Sequence, residues 1–374
     1  MKVLIASLWS VSEASIGGTE KFVVDLANSL SHSCSVTVLS LGQIDLNIKG
    51  VRTVGLNMIG RFNEDALSVY LDRGGLTEIE FKLNAFLARN KFDIVHCNSL
   101  LFANLIKNVP VIQTVHTDRE EFYNSFSARI ATVIMENIKK DKNAIYVTPS
   151  MHGKRSFKSL TRKTALVVAH SFRSDIVLRN RAYVRKNYDI SNKDIVFCVP
   201  SRLEIRQKGQ ETLLEALRII KKKLPSFSVV LGGCDKQYLH NKKYLRKQYP
   251  DLKMLITGFS DKSDMYSLAD VVVLPSRMES FGYAALESAM MGFPLFLSDI
   301  PPYREIAEGN SRIILFKNNP VKLAQVLLRK YKMILVHEAI PPSKKWKKKY
   351  SEERMRKNYR SLYKKSILNF WNRK

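Results

Sequence analysis

Two glutamates eight positions apart, Glu279 and Glu287, and two cations upstream, Arg202 and Lys208, have side chains that can do chemistry at spacings that can aim it. Asp270-Val271-Val272-Val273-Leu274-Pro275 reads as a strand. Its continuous apolar run suits a parallel strand covered on both faces, and Pro275, which has no amide proton, ends it. The loop Ser280-Phe281-Gly282 then leads into a helix whose first amides have no internal partner and so form a site for a phosphate or other anion. Glu279 falls in the loop and Glu287 about a turn and a half into the helix, so the two carboxylates bracket that site and can accept from ligand hydroxyls. A strand-loop-helix with two solvated acids gives the same pattern.

The cations follow a second apolar run, Ile195-Val196-Phe197-Cys198-Val199, and precede a helix marked by Leu213-Leu214, Leu217 and Ile220. Arginine offers planar paired donors and lysine a compact charge, a combination suited to holding a diphosphate and stabilising it as it leaves. Arg206 competes for the same role. A basic surface loop is the plain alternative, because Lys and Arg number 61 against 34 Asp and Glu, a net charge of +27. That excess implies an anionic partner: a phosphorylated ligand, an acidic membrane surface or a nucleic acid. The sequence contains neither G-x-G-x-x-G nor G-x-x-x-x-G-K-[ST], which disfavours dehydrogenase and P-loop chemistry.

Elements that must position these groups recur along the chain. A length of 374 residues with 45% hydrophobic and 25% charged content is that of a soluble globular protein with two cores. Met1 to Trp9 is an apolar run at the lower limit of length for a secretory signal, and because it leads directly into a glycine loop it reads as a first strand. Ile16-Gly17-Gly18-Thr19-Glu20 follows, then a helix with Phe22-Val23, Leu26-Ala27 and Leu30 on one face. Ser35 to Ser40, Phe92 to Cys97, Val111 to His116, Ile145 to Ser150, Ala165 to Ser171, Phe227 to Gly233 and Met254 to Phe259 continue the strand series. Strands alternating with helices imply doubly wound α/β sheets, in which ligands bind beyond the carboxyl ends of the strands. His96 and His116 stand at such ends, where a histidine is more often a structural hydrogen-bonder than a catalyst. Cys34, Cys97, Cys198 and Cys234 are far apart, so neither a disulfide framework nor a zinc site is indicated and a reducing cytoplasm fits. No apolar run reaches the roughly eighteen residues that a membrane-spanning helix needs.

Glu279 to Glu287 resembles the E-x7-E motif of retaining glycosyltransferases of the GT-B fold, family 4, and nearly the whole chain supports the resemblance. It implies two doubly wound Rossmann-like domains facing across a cleft. Residues 1–172 would form the acceptor-side domain, 173–193 a linker and 194–350 the nucleotide-sugar domain, with a helix over 351–374 packing back on the first. In that family the first glutamate approaches the donor sugar, the amides of Ser280, Phe281, Gly282 and Tyr283 hold the diphosphate, and Glu287 binds the ribose. Arg202 and Lys208 take the donor-phosphate roles, and Gly17 and Gly18 form the loop that faces the phosphates and the acceptor. Gly258 belongs to the backbone that receives the nucleobase. His116, in a segment similar to the family's T-x-H, lies beside the donor sugar, and His96 is left as structural. Ala169-His170-Ser171 stands where the family has a Pro-Asn-Gly turn, and Ser201 where it has a glycine.

The tail differs in character. Residues 343–374 hold thirteen basic side chains against Glu352 and Glu353, a balance of +11, while Met355, Tyr359, Leu362, Tyr363, Ile367, Phe370 and Trp371 recur at helical spacing. The apolar face is expected to pack on the first domain, leaving the basic face for anionic lipid. The expectation is a retaining, metal-independent hexosyltransferase without a cofactor. It would take a UDP- or GDP-sugar and a glycan or lipid-linked acceptor in envelope polysaccharide, lipopolysaccharide or glycolipid synthesis, at the cytoplasmic face of a membrane. Metal independence follows because no D-x-D stands at a strand end, and fixed cations can do the charge work. A nucleotide-sugar epimerase of the same fold is the alternative. A nucleic-acid binder is disfavoured because no recognised binding motif accompanies the charge.

Overall fold

A computed structural model of the chain describes residues 1–12, 17–58, 67, 69–119, 122–123, 126–172, 176–233, 237–258, 261–335 and 340–372. Ile16, residues 173–175 of the expected linker, Cys234, Phe259, Arg373 and Lys374 lie outside the described residues. The chain divides into two compact units, Met1–Ser171 with Lys349–Lys374, and Phe172–Lys348.

In the first unit the strands are β1 (Lys2–Ser7), β2 (Val11–Ser12), β3 (Ser35–Ser40), β4 (Ile44–Asp45), β5 (Val51–Gly55), β6 (Ile94–Cys97), β7 (Val111–Thr114), β8 (Ala144–Thr148) and β9 (Leu166–Val167). Seven of them form one sheet in the order β5-β3-β1-β6-β7-β8-β9, with β2 and β4 paired apart. Every pairing is parallel, and β1 lies centrally, with Val3 opposite Val36 on one side and Ile94 on the other. Val3, Leu4, Ile5 and Ala6 are all fully buried, which is why this run is continuously apolar rather than alternating. Helices α1 (Gly18–Ser31), α2 (Leu76–Arg89), α3 (Ala128–Lys140) and α4 (Met151–Thr161) cover the sheet. In α1 the buried positions include Phe22, Val23, Leu26, Ala27 and Leu30, the face that the sequence spacing marks. The strand expected over Ala165 to Ser171 is shorter: pairing with β8 stops at Val167, and His170 and Ser171 turn into the core instead.

The second unit repeats the plan. Its strands are β10 (Ile195–Val199), β11 (Phe227–Gly232), β12 (Met254–Gly258), β13 (Val271–Leu274), β14 (Leu295–Ser298) and β15 (Ile313–Phe316), ordered β12-β11-β10-β13-β14-β15 and all parallel. The helices here are α5 (Arg181–Asn187), α6 (Ile205–Lys208), α7 (Gln210–Ile220), α8 (Tyr238–Gln248), α9 (Lys262–Leu268), α10 (Tyr283–Met290), α11 (Pro301–Ala307), α12 (Pro320–Arg329) and α13 (Tyr331–Leu335), with α14 (Lys344–Lys349) at its end. In both sheets the chain builds outward from a central strand, then returns to its other side. This reversal of strand order is the doubly wound arrangement.

The last helix, α15 (Glu352–Trp371), belongs to the first unit, where it lies against α1, β6 and β7. Met355, Tyr359, Tyr363 and Ser366 are buried, at spacings that follow one face, whereas Trp371 stays exposed. Tyr363 is fixed by a hydrogen bond between its hydroxyl and His96 Nδ1, 2.6 Å, and His96 Nε2 lies 2.6 Å from Thr114 Oγ1. A buried polar chain therefore ties this helix to β6 and β7.

Residues 173–193, read from composition as a linker, behave otherwise where they are described. Arg185 of α5 is fully buried. Its guanidinium donates to Asp270 Oδ2 at 2.7 Å and to the carbonyls of Leu268 and Asp194 at 2.7 and 3.0 Å. Arg181 pairs with the other carboxylate oxygen of Asp270, and the Val196 amide donates to Oδ2 at 2.7 Å. Arg185 and Arg181 thus belong to a network around the buried Asp270 that clamps α5 onto the starts of β10 and β13, so this part of the segment is not a solvated tether. Asp270→Ala leaves the Arg185 charge buried without its partner and is expected to cost about 3–5 kcal/mol. Urea unfolding followed by circular dichroism measures it, and a loss below about 1 kcal/mol would show that the network is not fully desolvated.

Candidate active site

The reversal of strand order in the second unit lies between β10 and β13, and the loops that leave these two strands carry most of the sequence-nominated groups. Val199 ends β10, and the following loop bears Arg202, then α6 with Lys208 at its end. Leu274 ends β13, and Pro275 to Gly282 bear Glu279. These loops are stitched together by the backbone. The Arg277 amide donates to the Gln207 carbonyl at 2.8 Å, and its guanidinium donates to the carbonyls of Ile205 and Arg206 at 2.8 and 3.0 Å. Gly209 has φ +64°, and a Cβ there would meet the Pro275 carbonyl oxygen at 2.3 Å, so only glycine allows so close an approach.

The result is a contact between Lys208 and Glu279, Nζ to Oε1 at 2.9 Å, with both side chains largely withdrawn from solvent. The same oxygen accepts from the Ser276 hydroxyl at 3.0 Å and the Tyr303 hydroxyl at 3.1 Å. Burial, reinforced by the Glu279 charge, holds the Tyr303 phenol far above its ordinary range, so it stays a donor. Lys208 spends one of its three donors on Glu279. Arg202 is exposed, bonds Gln207 Oε1 at 3.4 Å and has no carboxylate partner among the described residues. Arg206 is exposed on α6, with its carbonyl engaged by Arg277.

Helix α10 starts at Tyr283, capped by Gly282 at φ +99°, with no side-chain cap for its first amides. A Cβ on Gly282 would lie 2.6 Å from the Tyr303 ring. Phe281 is buried and meets the Tyr283 ring edge-on at 5.5 Å, which fixes the loop from Ser280 onward. Glu287 is only 2% exposed. Its Oε1 accepts from Lys262 at 2.9 Å and its Oε2 from the Tyr266 hydroxyl at 3.3 Å. Burial, then the Glu287 charge, pushes the Tyr266 phenol well up. Gly258 ends β12 at φ +68°, beside the Tyr238 ring.

In the first unit the reversal lies between β1 and β6. Gly17 precedes α1 in extended backbone and Gly18 opens the helix. His116 follows β7, and its Nε2 is hydrogen-bonded to Asn98 Oδ1 just beyond β6. Asn98 Nδ2 donates to the Thr19 carbonyl at 3.0 Å, so one amide joins His116 to the start of α1. His170 stands 5.3 Å from the His116 ring, and Phe22 lies 4.4 Å from His170 and 5.0 Å from His116. Ala169-His170-Ser171, where the family turn was expected, thus contributes a buried ring. Burial lowers His116 to about 3 and His96 to about 3, and it drives His170 well down.

Of the sequence-nominated residues, the second unit brings together Lys208 and Glu279, and carries Arg202, Ser280 to Tyr283, Glu287 and Gly258 on neighbouring strand ends and the helix start after them. His116, Gly17 and Gly18 belong to the first unit. Sequence reasoning passed over Ser276, Tyr303, Lys262, Tyr266 and Asn98. Ser276 and Asn98 carried a signal, being polar residues just beyond apolar strand runs. The other three make their contacts across 21 to 25 residues of chain, a separation that no local spacing rule spans.

Comparison with known proteins matches this geometry to known folds. The family description "Glycosyltransferase Family 4" matches residues 16–172, and "Glycosyl transferases group 1" matches residues 180–334. An uncharacterized glycosyltransferase of Methanocaldococcus jannaschii is 24% identical over 87% of this chain and 87% of its own. The processive diacylglycerol alpha-glucosyltransferase of Acholeplasma laidlawii is 26% identical over 62% of this chain and 73% of its own. Among solved structures, Anabaena HepE in complex with UDP and glucose superposes with a TM-score of 0.74 at 16% identity, covering 97% of this chain and 99% of that one. WaaG, a glycosyltransferase involved in lipopolysaccharide biosynthesis, gives 0.66 at 14% identity over 97% and 98%.

Burial of the histidine cluster is expected to make the first unit sensitive to acid. His96 is held at about 3 when folded against 6.5 in the open chain, so the unfolded state takes up a proton that the folded state refuses. Stability is therefore expected to be complete above pH 6.5 and to fall progressively toward pH 3, with a shallower fall in His96→Gln. Calorimetric Tm values across that range check it; an unchanged slope in the variant would place the acid loss elsewhere.

Proposed function

This chain belongs to the group 1 glycosyltransferases of the GT-B fold, and on that footing we propose that it transfers a sugar from a UDP- or GDP-sugar to an acceptor hydroxyl with retention. The observation that carries the reading is the Lys208–Glu279 contact at the strand-order reversal, beside an exposed Arg202 that has no described carboxylate partner. A carboxylate held by three donors is a rigid acceptor for sugar hydroxyls. Arg202, the remaining donors of Lys208 and the uncapped amides from Tyr283 onward face a diphosphate with fixed positive charge, and Glu287 serves the ribose. These groups do the charge work without a metal. The UDP and glucose held by HepE support a nucleotide-sugar donor.

The acceptor we propose is a lipid-linked or envelope glycan, met at the cytoplasmic face of a membrane. Relatives that act on diacylglycerol or in O-antigen biosynthesis support it. So does the charge of +27, although no helix among the described residues is long and apolar enough to cross a bilayer. The polar face of α15 adds a local feature: a concavity of about 420 Å³ lined by Arg356, Lys357, Arg360 and Lys364 together with Glu353 and Ser361. These four cations have no carboxylate partner among the described residues, so their charge is available to lipid phosphates. Each cation near an anionic surface adds about 1 kcal/mol.

A thermal-shift screen of UDP- and GDP-sugars identifies the donor for kinetics. Glu287→Ala is expected mainly to raise the donor KM, because ribose contacts are alike in ground and transition states. Arg202→Ala and Lys208→Ala are expected to lower kcat about a hundredfold, because the diphosphate gains charge only as the glycosidic bond breaks. Raised KM with intact kcat in both variants would overturn the assignment. Co-sedimentation with anionic vesicles is expected at low salt and not at 1 M, where the Debye length falls to about 3 Å. Changing Arg356, Lys357, Arg360 and Lys364 to Gln should weaken it without disturbing the buried face of α15; equal binding to neutral and anionic vesicles would refute the membrane reading.

A further inference from the structure

The hydrogen bonds around His116 determine where its proton sits. The Thr19 carbonyl can only accept, so the Asn98 group that faces it at 3.0 Å is the amide nitrogen. The other end of that amide, the carbonyl oxygen Oδ1, is then the atom that faces His116 Nε2. An amide oxygen can only accept as well, so Nε2 must carry a hydrogen. A neutral imidazole has one N–H, and Nδ1 is therefore the bare nitrogen, with no described residue hydrogen-bonded to it. Asn98 itself is 2% exposed and held between two elements, so it cannot turn over without setting its two donor hydrogens against the imidazole N–H and its oxygen against a carbonyl.

We infer that Asn98 is a positioning residue that locks His116 as the Nε2–H tautomer and so makes Nδ1 a permanent acceptor for a ligand hydroxyl. The use of that acceptor rests on the transfer reaction proposed above, whereas the tautomer rests only on the three hydrogen-bonding groups in the first unit. Its environment keeps the ring neutral. Phe22 lies 5.0 Å from it and the His170 ring 5.3 Å, with His96 beyond, also in contact with Phe22. No carboxylate is hydrogen-bonded or ion-paired to His96 or His116 among the described residues, and burial lowers all three rings. His116 thus remains an acceptor at Nδ1 throughout the neutral range. The same amide sets the distance between the imidazole and the start of α1, so His116 and the Gly17-Gly18 loop are positioned by one side chain.

Nitrogen-15 NMR of the full-length protein labelled at histidine tests this, with His116→Gln to assign the signal. The expected result is one tautomer, protonated at Nε2 and bare at Nδ1, with no titration near neutral pH. Asn98→Leu removes the acceptor and should give a mixture of tautomers. Asn98→Asp keeps an acceptor of the same shape, so Nε2–H is retained, while its negative charge should move the His116 titration upward toward neutrality. Once the donor is known, kcat should fall about 10- to 100-fold in Asn98→Leu, with a smaller change in donor KM. Far-ultraviolet circular dichroism and Tm confirm that each variant is folded. A wild-type ring protonated at Nδ1, or a single unchanged tautomer in Asn98→Leu, overturns the inference whichever donor is used. The expected tautomer with unaltered kcat in Asn98→Leu overturns the acceptor role instead. The transfer reaction fails separately, if the wild-type chain turns over no nucleotide sugar.

Discussion

Glu279 Oε1 lies within 2.9 to 3.1 Å of an ammonium and two hydroxyls, and this crowded oxygen is the point on which the second unit's site depends. An ion pair withdrawn from solvent loses the hydration of both partners and persists only where added hydrogen bonds compensate. Ser276 and Tyr303 supply those bonds. Each comes from a different part of the chain: Lys208 from the end of α6, Ser276 from the end of β13, Tyr303 from α11. The pair therefore forms only when three separate connections are correctly placed, and it holds them in place once formed. Gly209 and Gly282 serve the same contact by letting backbone approach where a side chain would collide.

That convergence is a consequence of the parallel sheets. When every strand runs the same way, all carboxyl ends reach one edge, and the reversal of strand order separates the loops of two adjacent central strands there. Each unit has this reversal, between β1 and β6 in one and between β10 and β13 in the other. The loops that bear polar groups leave from these strands and their neighbours. Behind them, β10 and β13 are apolar and buried along their whole length, as are Val3 to Ala6 of β1, so the candidate sites rest on rigid supports.

Buried polar groups away from the sheet edges tie distant segments to the same frame. Asp270 joins α5 to β10 and β13 through Arg185 and Arg181. His96 joins α15 to β7 through Tyr363 and Thr114. In each case a group that is costly to bury has its hydrogen bonds met by segments remote in sequence, so misplacing either segment leaves a polar group unsatisfied. These contacts specify which segments pack together more than they add to stability.

The central strands of both sheets, their parallel arrangement and the E-x7-E pair were legible in the chain because each rests on local pattern: apolar runs of strand length, an imino acid that ends one, glycines before helices, and two acids at a fixed spacing; β5, β14 and β15 were not read from it. So was the buried face of α15, since Met355, Tyr359 and Tyr363 recur at four-residue intervals. Other features were decided only by the tertiary structure. Residues 181–187 look like solvated linker because composition cannot show that Arg185 meets Asp270 across 85 positions. Lys262 and Tyr266 reach Glu287 across 25 and 21 residues, and Tyr303 reaches Glu279 across 24. Asn98 meets His116 and Thr19 because β6 and β7 are neighbours and α1 begins beside them. Spacing along a chain encodes which face a residue takes on its own element. Which partner waits on the next element is settled when the sheet closes and each buried donor must find an acceptor.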